Sequence, residues 1–298
     1  GALEREARAL SPHEPWREQL AADSHRHPEL GDLLDTYRRF HEEAMACAYA
    51  AGLVTPAADY GLDFRWLPDW AREMVDDLYF LFYRSPAAGA PGAGSVYWVF
   101  PPGGDLGAYL RSQSYTTVKI THAVHHGSIG HHTQNARARA AAGPLGRLSG
   151  TDCASGIAFL TGGTLIEGWA CYVQDLLLEA DGFYEPAERL ALRHAELRNA
   201  ATCVADIKLH TGAWDTGDVR SFYVGEVGMP EARAWAETTR NSLWPSTRAM
   251  YWLGTRKIRE LRRRLGGSPR ALHDALLSFG SVPVSFVADE LTSAAPRG

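Results

Sequence analysis

Lysine is scarce in this chain: Lys119, Lys208 and Lys257 are the only three among thirty basic residues, and thirty-five acidic residues outnumber the basic ones for a net charge of −5. That balance gives no general attraction to nucleic acid or to an anionic membrane surface. The one dense basic run, Arg256 to Arg264, has the spacing of a solvated helix face. Cysteine is sparse too. Cys47, Cys153, Cys171 and Cys203 stand apart and form no Cys-x-x-Cys pair. This excludes a disulfide framework and a thiolate zinc site of the usual spacing, and predicts reduced thiols, with a Cys153–Cys171 pairing left open. No stretch reaches the roughly eighteen apolar residues of a membrane-spanning helix, and the charged start (Glu4, Arg5, Glu6, Arg8) has no apolar core of signal-peptide length. The expectation is a cytoplasmic protein with no membrane or nucleic-acid partner.

What is present is an ordinary globular composition, 45% hydrophobic and 22% charged over 298 residues, enough for one large domain or two intimate ones. One stretch departs from it. Between Thr121 and Gln134 lie His122, His125, His126, His131 and His132, five of the twelve histidines within eleven residues. Histidine is the commonest metal-ligating side chain and titrates near neutrality, so the cluster reads as a metal or proton-transfer site, against the alternative of a polar core cluster. If residues 116–129 are helical, His122, His125 and His126 share a face, and the breaks at Gly127 and Gly130 let His131 or His132 turn back toward them.

Around the cluster the pattern is mainly helical. Residues 1–30 read as a polar arm with one short helix. Leu30 to Gly52 carries apolar residues at three- and four-residue steps, an amphipathic helix. Asp63 to Arg84 reads as a second helix with Trp66, Trp70, Met74, Leu78 and Leu81 on one side. Pro86–Gly94 reads as a linker, dividing the chain into an N-terminal helical region (1–94) and a catalytic region (95–298). Val96–Phe100, closed by Pro101-Pro102-Gly103-Gly104, is the best strand, placed to edge a cleft beside the histidines. Thr164 followed by Glu167 fits a capping box, with Glu167 as a metal ligand from a second helix the competing reading. Helices follow over Glu185–Thr211, which puts Asp206 and His210 one turn apart, and over Trp235–Leu265 with an interruption at Trp244-Pro245-Ser246. Leu272–Phe279 is the last expected helix.

Laid out in order, these segments resemble the domain of unknown function 885 family, bacterial proteins related to zinc metallopeptidases. The family pattern His-Glu-x-x-Pro-Gly-His-His-x-Gln falls on His125 through Gln134, Glu-Gly-Trp-Ala-x-Tyr on Glu167 through Tyr172, and Asp-x-x-x-His-x-x-x-Trp on Asp206, His210 and Trp214. A Pro-Gly-Gln-x-x-x-Tyr-x-x-Gly pattern meets Pro245-Ser246-Thr247 through Tyr251 to Gly254, and the closing Gly-Ser-x-Pro meets Gly280 to Pro283. Three departures matter: the glutamate after the first histidine, the general base in zinc peptidases, is His126; the motif proline is Ile129; and the usual arginine-rich turn before the aspartate is Asn199–Thr202, with only Arg198 nearby. The resemblance also leads to the expectation that this chain lacks much of the long N-terminal portion of full-length relatives.

The resemblance implies a mainly α, metallopeptidase-like fold with a short β element beside the active-site cleft. It implies a metal held by His125, His131 and Glu167, with His132 and His122 in reserve, zinc first and Fe(II) as the alternative. His126 would take the base position, His210 and Tyr251 would donate to an oxyanion, and Asp206 would orient His210. With the glutamate gone, the expected function is a metal-dependent enzyme doing non-hydrolytic chemistry on a small-molecule or amino-acid-derived substrate in a biosynthetic pathway. The alternatives are a zinc peptidase or amide hydrolase using His126 as base, and a metal-binding pseudoenzyme.

Overall fold

The computed structural model describes residues 1–58, 60–74, 83–86, 92, 94–141, 143–147 and 155–294. Among them the chain is mainly helical, with a single three-stranded sheet. The amphipathic pattern after Leu30 becomes helix Leu33–Ala50, which buries Leu33, Tyr37, Phe40, Ala44 and Ala48. The polar N-terminus forms two helices, Ala2–Leu10 and Trp16–Ser24, where one was expected. They lie against the long helix Pro186–His210, and the Trp16 ring meets His194 at 5.1 Å.

The second expected helix is a correction. Residues Leu62–Trp66 are strand β1, followed by a 3-10 segment, Asp69–Met74; Leu78 and Leu81 lie outside the described residues. Phe64 is buried while Arg65 is exposed, an alternation of period two, and Trp70 is 78% exposed, so no continuous apolar helix side exists here. Tyr83–Arg84 form strand β2 and Ser95–Val99 strand β3. β3 lies in the middle, parallel to β1 with Phe64 opposite Tyr97, and antiparallel to β2 with Tyr83 opposite the same Tyr97. The pairing of β1 with β3 joins residues on either side of the expected 94/95 boundary; residues 87–91 and 93 are outside the described set. Tyr97 and Phe64 pack with Tyr37, Phe40, Val118 and Ala123 into one cluster, which presses the sheet against the histidine segment.

The largest apolar core surrounds helix Ser155–Leu176, with Trp169 fully buried at its centre. Helix Ala249–Leu265 crosses it at backbone contact. A Cβ at Gly254 would lie 2.0 Å from the Thr164 carbonyl oxygen, and one at Gly168 would lie 2.6 Å from the Gly254 backbone. Only glycine at both positions allows this approach, and it brings Glu167 and Tyr251 to one side of the crossing. Within the basic run of this helix, Arg259 binds Glu196 at 2.8 Å and Arg262 binds Glu179 at 2.6 Å, while Arg256, Arg263 and Arg264 are exposed. Helices Pro269–Ser278 and Val284–Ala294 close the core, the second of them beyond the last helix expected. Cys47, Cys171 and Cys203 are free thiols; Cys153 lies outside the described residues. No described helix is long and apolar enough to cross a membrane.

Candidate metal centre and cavity

The histidine segment is helical, but wound more widely than an α-helix. Val118–His126 is a π-helix, and it ends with the Gly127 amide donating to the His122 carbonyl five residues back at 3.0 Å. The chain then kinks at Gly130, where a Cβ would sit 2.0 Å from the His125 carbonyl oxygen. Any larger residue would force the turn open, so Gly130 delivers the His131 ring to His125, with centroids 4.9 Å apart. Trp169 clamps the arrangement by donating its Nε1–H to the Ile129 carbonyl at 2.8 Å. Gln134 donates to Ser281 Oγ at 2.7 Å, tying the histidine segment to the Gly280–Pro283 motif.

Glu167 lies midway along helix Ser155–Leu176, so the capping-box reading at Thr164 is overturned. Thr164 Oγ1 instead accepts the Val284 amide. The Glu167 Oε2 atom faces His125 Nε2 at 3.6 Å and His131 Nε2 at 3.5 Å, and it is buried without a hydrogen-bond partner among the described residues. His131 Nδ1 is likewise buried and unpartnered. Burial by itself would raise the Glu167 carboxyl, but the imidazoles of His131 and His125 hold it well below its usual range. His125, His126 and His131 form a cluster that could hold a metal ion, with ligand atoms within 4.8 Å of one another.

His126 donates its Nδ1–H to the Thr121 carbonyl at 2.9 Å, because that oxygen only accepts. In the neutral ring Nε2 then carries the lone pair. Burial, reinforced by His125, His131 and His122, lowers its pKa far below the ordinary value, which favours that neutral form. The two reserve histidines are engaged elsewhere. His122 meets the Tyr97 hydroxyl at 2.5 Å and stacks on Tyr37 with centroids 5.2 Å apart. His132 points to the other side, between Tyr60, Tyr83 and His41.

These groups open into a cavity of about 900 Å³, lined by Val99 and Phe100 at the sheet and by Tyr251, Arg198 and Arg248 opposite. Burial, and behind it the Glu167 charge, raise the Tyr251 phenol, which keeps it a donor. His210 and Asp206 do not line this cavity. His210 Nε2 is 2.8 Å from the Asn241 carbonyl, and Asp206 accepts the backbone amides of Ser246, Arg248 and Ala249 at 2.9–3.0 Å. Asp206 therefore caps helix Ala249–Leu265 and holds Ser246 at φ 70°, where the resembled pattern carries glycine. Asp206 does lie beside His210, with Oδ1 3.6 Å from Nε2, but the oxyanion role expected of His210 has no geometry here, because the face of helix Pro186–His210 that carries the pair turns to that cap and away from the cavity.

Sequence reasoning gave the arginines no site role: Arg198 stood only as the one arginine beside the family's usual arginine-rich turn, and Arg248 was missed. Arg198 precedes the buried Ala201, Thr202 and Ala205 on one helical stripe, and a charge on an apolar stripe is a legible signal. Cys171 was also missed as a site neighbour: its Sγ lies 4.0 Å from His125 Nδ1 and accepts from Asn199 Nδ2 at 3.3 Å.

Two solved structures share this fold. One is a protein described as a lipoprotein of unknown function from Shewanella oneidensis, with TM-score 0.80 and 20% identity over 98% of this chain and 53% of its own. The other, described as a lipoprotein from Colwellia psychrerythraea, has TM-score 0.77 and 20% identity over 98% of this chain and 49% of its own. The chain thus spans about half the length of either, and at this identity the likeness is one of fold alone. No curated protein matches the chain. The motifs that the core gathers here, from His125 to Gln134, Glu167 to Tyr172 and Gly280 to Pro283, all fall inside residues 18–291, which match the model of the bacterial protein of unknown function family (DUF885), and the chain belongs to that family.

Proposed function

We propose that this protein is a metal-dependent enzyme that holds one divalent transition ion through His125, His131 and Glu167. Its substrate is a small amino-acid-derived or peptide-like molecule in the 900 Å³ cavity, a volume suited to such a ligand. The observation that carries the reading is the convergence of Glu167 Oε2 on two Nε2 atoms at 3.5 and 3.6 Å, with no hydrogen bond to satisfy it. A desolvated carboxylate left in this way is costly. Tetrahedral bonds of about 2.0–2.1 Å would place neighbouring ligand atoms about 3.4 Å apart, close to these spacings. Two imidazoles and a carboxylate suit zinc, and equally suit Fe(II). Such an ion would supply Lewis-acid polarisation and, if iron, redox chemistry.

Ordinary peptide hydrolysis is disfavoured by the surrounding carboxylates. Of those lining the cavity, Glu167 faces the histidines and Glu237 is ion-paired to Arg248 and Arg233. Neither stands ready as a general base. His126 is left to accept a proton at Nε2 while Thr121 fixes its ring through Nδ1, or to serve as a third imidazole ligand. Tyr251, in the cavity lining, donates to negative charge on the substrate. Elemental analysis of the wild type against His125→Ala and Glu167→Ala tests the reading. About one transition metal per chain in the wild type, falling in both variants, is expected; undiminished metal in both removes the site.

A further inference from the structure

We propose that Arg198 and Arg248 form an anion subsite in the cavity wall, which takes the carboxylate of the substrate beside the histidine cluster. The placement of the subsite rests on reading that cluster as the reacting centre; its anion affinity does not. Arg198 reaches the cavity from helix Pro186–His210 with its Nε atom enclosed, and it has no hydrogen bond or ion pair among the described residues. The charge closest to it in effect is Arg248, of like sign, and burial with that repulsion lowers its pKa. Arg248 is only 9% exposed. Its guanidinium lies 5.0 Å from the Tyr251 ring centroid and pairs through one arm with Glu237, while its Nε too is enclosed and unpartnered. Glu237 cannot neutralise the group by itself, since it is shared with Arg233 at 2.5 Å and Arg240 at 3.9 Å.

A partly buried guanidinium with no counter-charge among the described residues, as in Arg198, beside a second whose carboxylate is shared among three arginines, is costly to maintain, and it is the arrangement that an incoming anion relieves. The flat fork of Arg198, completed by the one open edge of Arg248, matches a planar carboxylate better than a phosphate dianion, which would call on more donors than two such edges supply. The location fits a carboxylate close to the reacting bond. Asn199, next to Arg198, holds Cys171, which touches His125, and Tyr251 beneath Arg248 feels the Glu167 charge. The substrate class is therefore an N-substituted amino acid or a similar small carboxylate, with its apolar part toward Phe100 and Tyr109.

Calorimetric titration with hippurate, its uncharged amide and inorganic phosphate, on the protein as isolated and after verified metal removal, tests this. Hippurate is expected to bind at least about tenfold more tightly than the amide in both preparations, and more tightly than phosphate. Arg198→Met should abolish that preference with metal content unchanged, and should raise the melting temperature of the unliganded protein by relieving repulsion. Arg198→Lys, which keeps the charge without the fork, should weaken the preference and serves if the first variant does not fold. No saturation by hippurate, equal affinity for the amide, tighter binding of phosphate, or a preference intact in Arg198→Met would each overturn the proposal. A preference lost on metal removal would also overturn it, by placing the carboxylate on the metal. A preference kept by a protein shown to carry no metal would leave the subsite standing and remove the metalloenzyme reading.

Discussion

Replacing Gly254 by alanine tests the link between packing and the site, because two helices depend on that position to touch. The added methyl would lie 2.0 Å from the Thr164 carbonyl oxygen and 2.8 Å from the Gly168 Cα, both of them backbone atoms. Carbon and oxygen need at least about 3 Å, so the helices must part by roughly 1 Å, or the clash costs energy in place; overpacking of this kind costs about 1–3 kcal/mol. A chain of 298 residues has an unfolding entropy of about 0.6 kcal/mol per degree, so a cost of about 3 kcal/mol lowers Tm by about 5 °C. The same displacement acts on Glu167, which precedes Gly168, and on Tyr251, one turn before Gly254. Metal retention should therefore fall along with stability. Gly225→Ala is the control, since nothing lies within 4 Å of a methyl there. Thermal melts and metal analysis of the two variants suffice, and a Gly254→Ala protein matching the control in both would refute the argument.

Other outcomes follow from the same geometry. Chelation should lower Tm by about 4 °C if the free metal stood at about a hundred times its dissociation constant, because binding to the folded state alone then contributes about 2.7 kcal/mol; an unchanged Tm with metal loss verified would count against a site joining the two helices. The wild type should show little or no general peptidase activity, and His126→Glu should keep the metal and gain measurable hydrolysis of simple peptides. Robust cleavage by the wild type, abolished in His126→Ala with metal retained, would restore a hydrolase with histidine as base. His273 is fully buried between the Tyr172 hydroxyl and the Leu53 carbonyl, and burial lowers its pKa to about 4. Since the unfolded chain takes this proton at about pH 6.5 and the folded one only near 4, its contribution is present above 6.5 and is lost as pH falls between the two values, to a limit of about 3 kcal/mol. Other histidines that burial lowers, His41 and His194 among them, titrate with the same sign, so denaturant melts at pH 7 and 5 should show a stability loss that is smaller by about 2 kcal/mol in His273→Gln than in the wild type, and an equal loss in both would refute this.

The histidine cluster was legible because its members are neighbours in the chain, so no long-range contact had to be guessed to see their density. The rest of the site depends on such contacts. β1 read as a helix because Trp66, Trp70 and Met74 also have helical spacing; its strand conformation is fixed by pairing with β3, which begins 33 residues later, and local pattern carries no trace of that partner. Thr164 read as a helix start because Gly162 and Gly163 look like a break. In the fold Gly162 makes room for the Ser281 backbone, 2.6 Å from where a Cβ would be, and the helix runs straight through. The spacing of Asp206 and His210 gave adjacency without saying which way the pair faces, and the cap over helix Ala249–Leu265 decides it. Arg198 and Arg248 are fifty positions apart and meet only in the folded chain. One crossing, at Gly168 and Gly254, brings Glu167, which faces the histidines, and Tyr251 into the lining of one cavity. A sequence in which each motif is recognisable therefore conceals what the motifs do together, because the distance between their reactive groups is set by two hydrogen atoms where side chains would otherwise be.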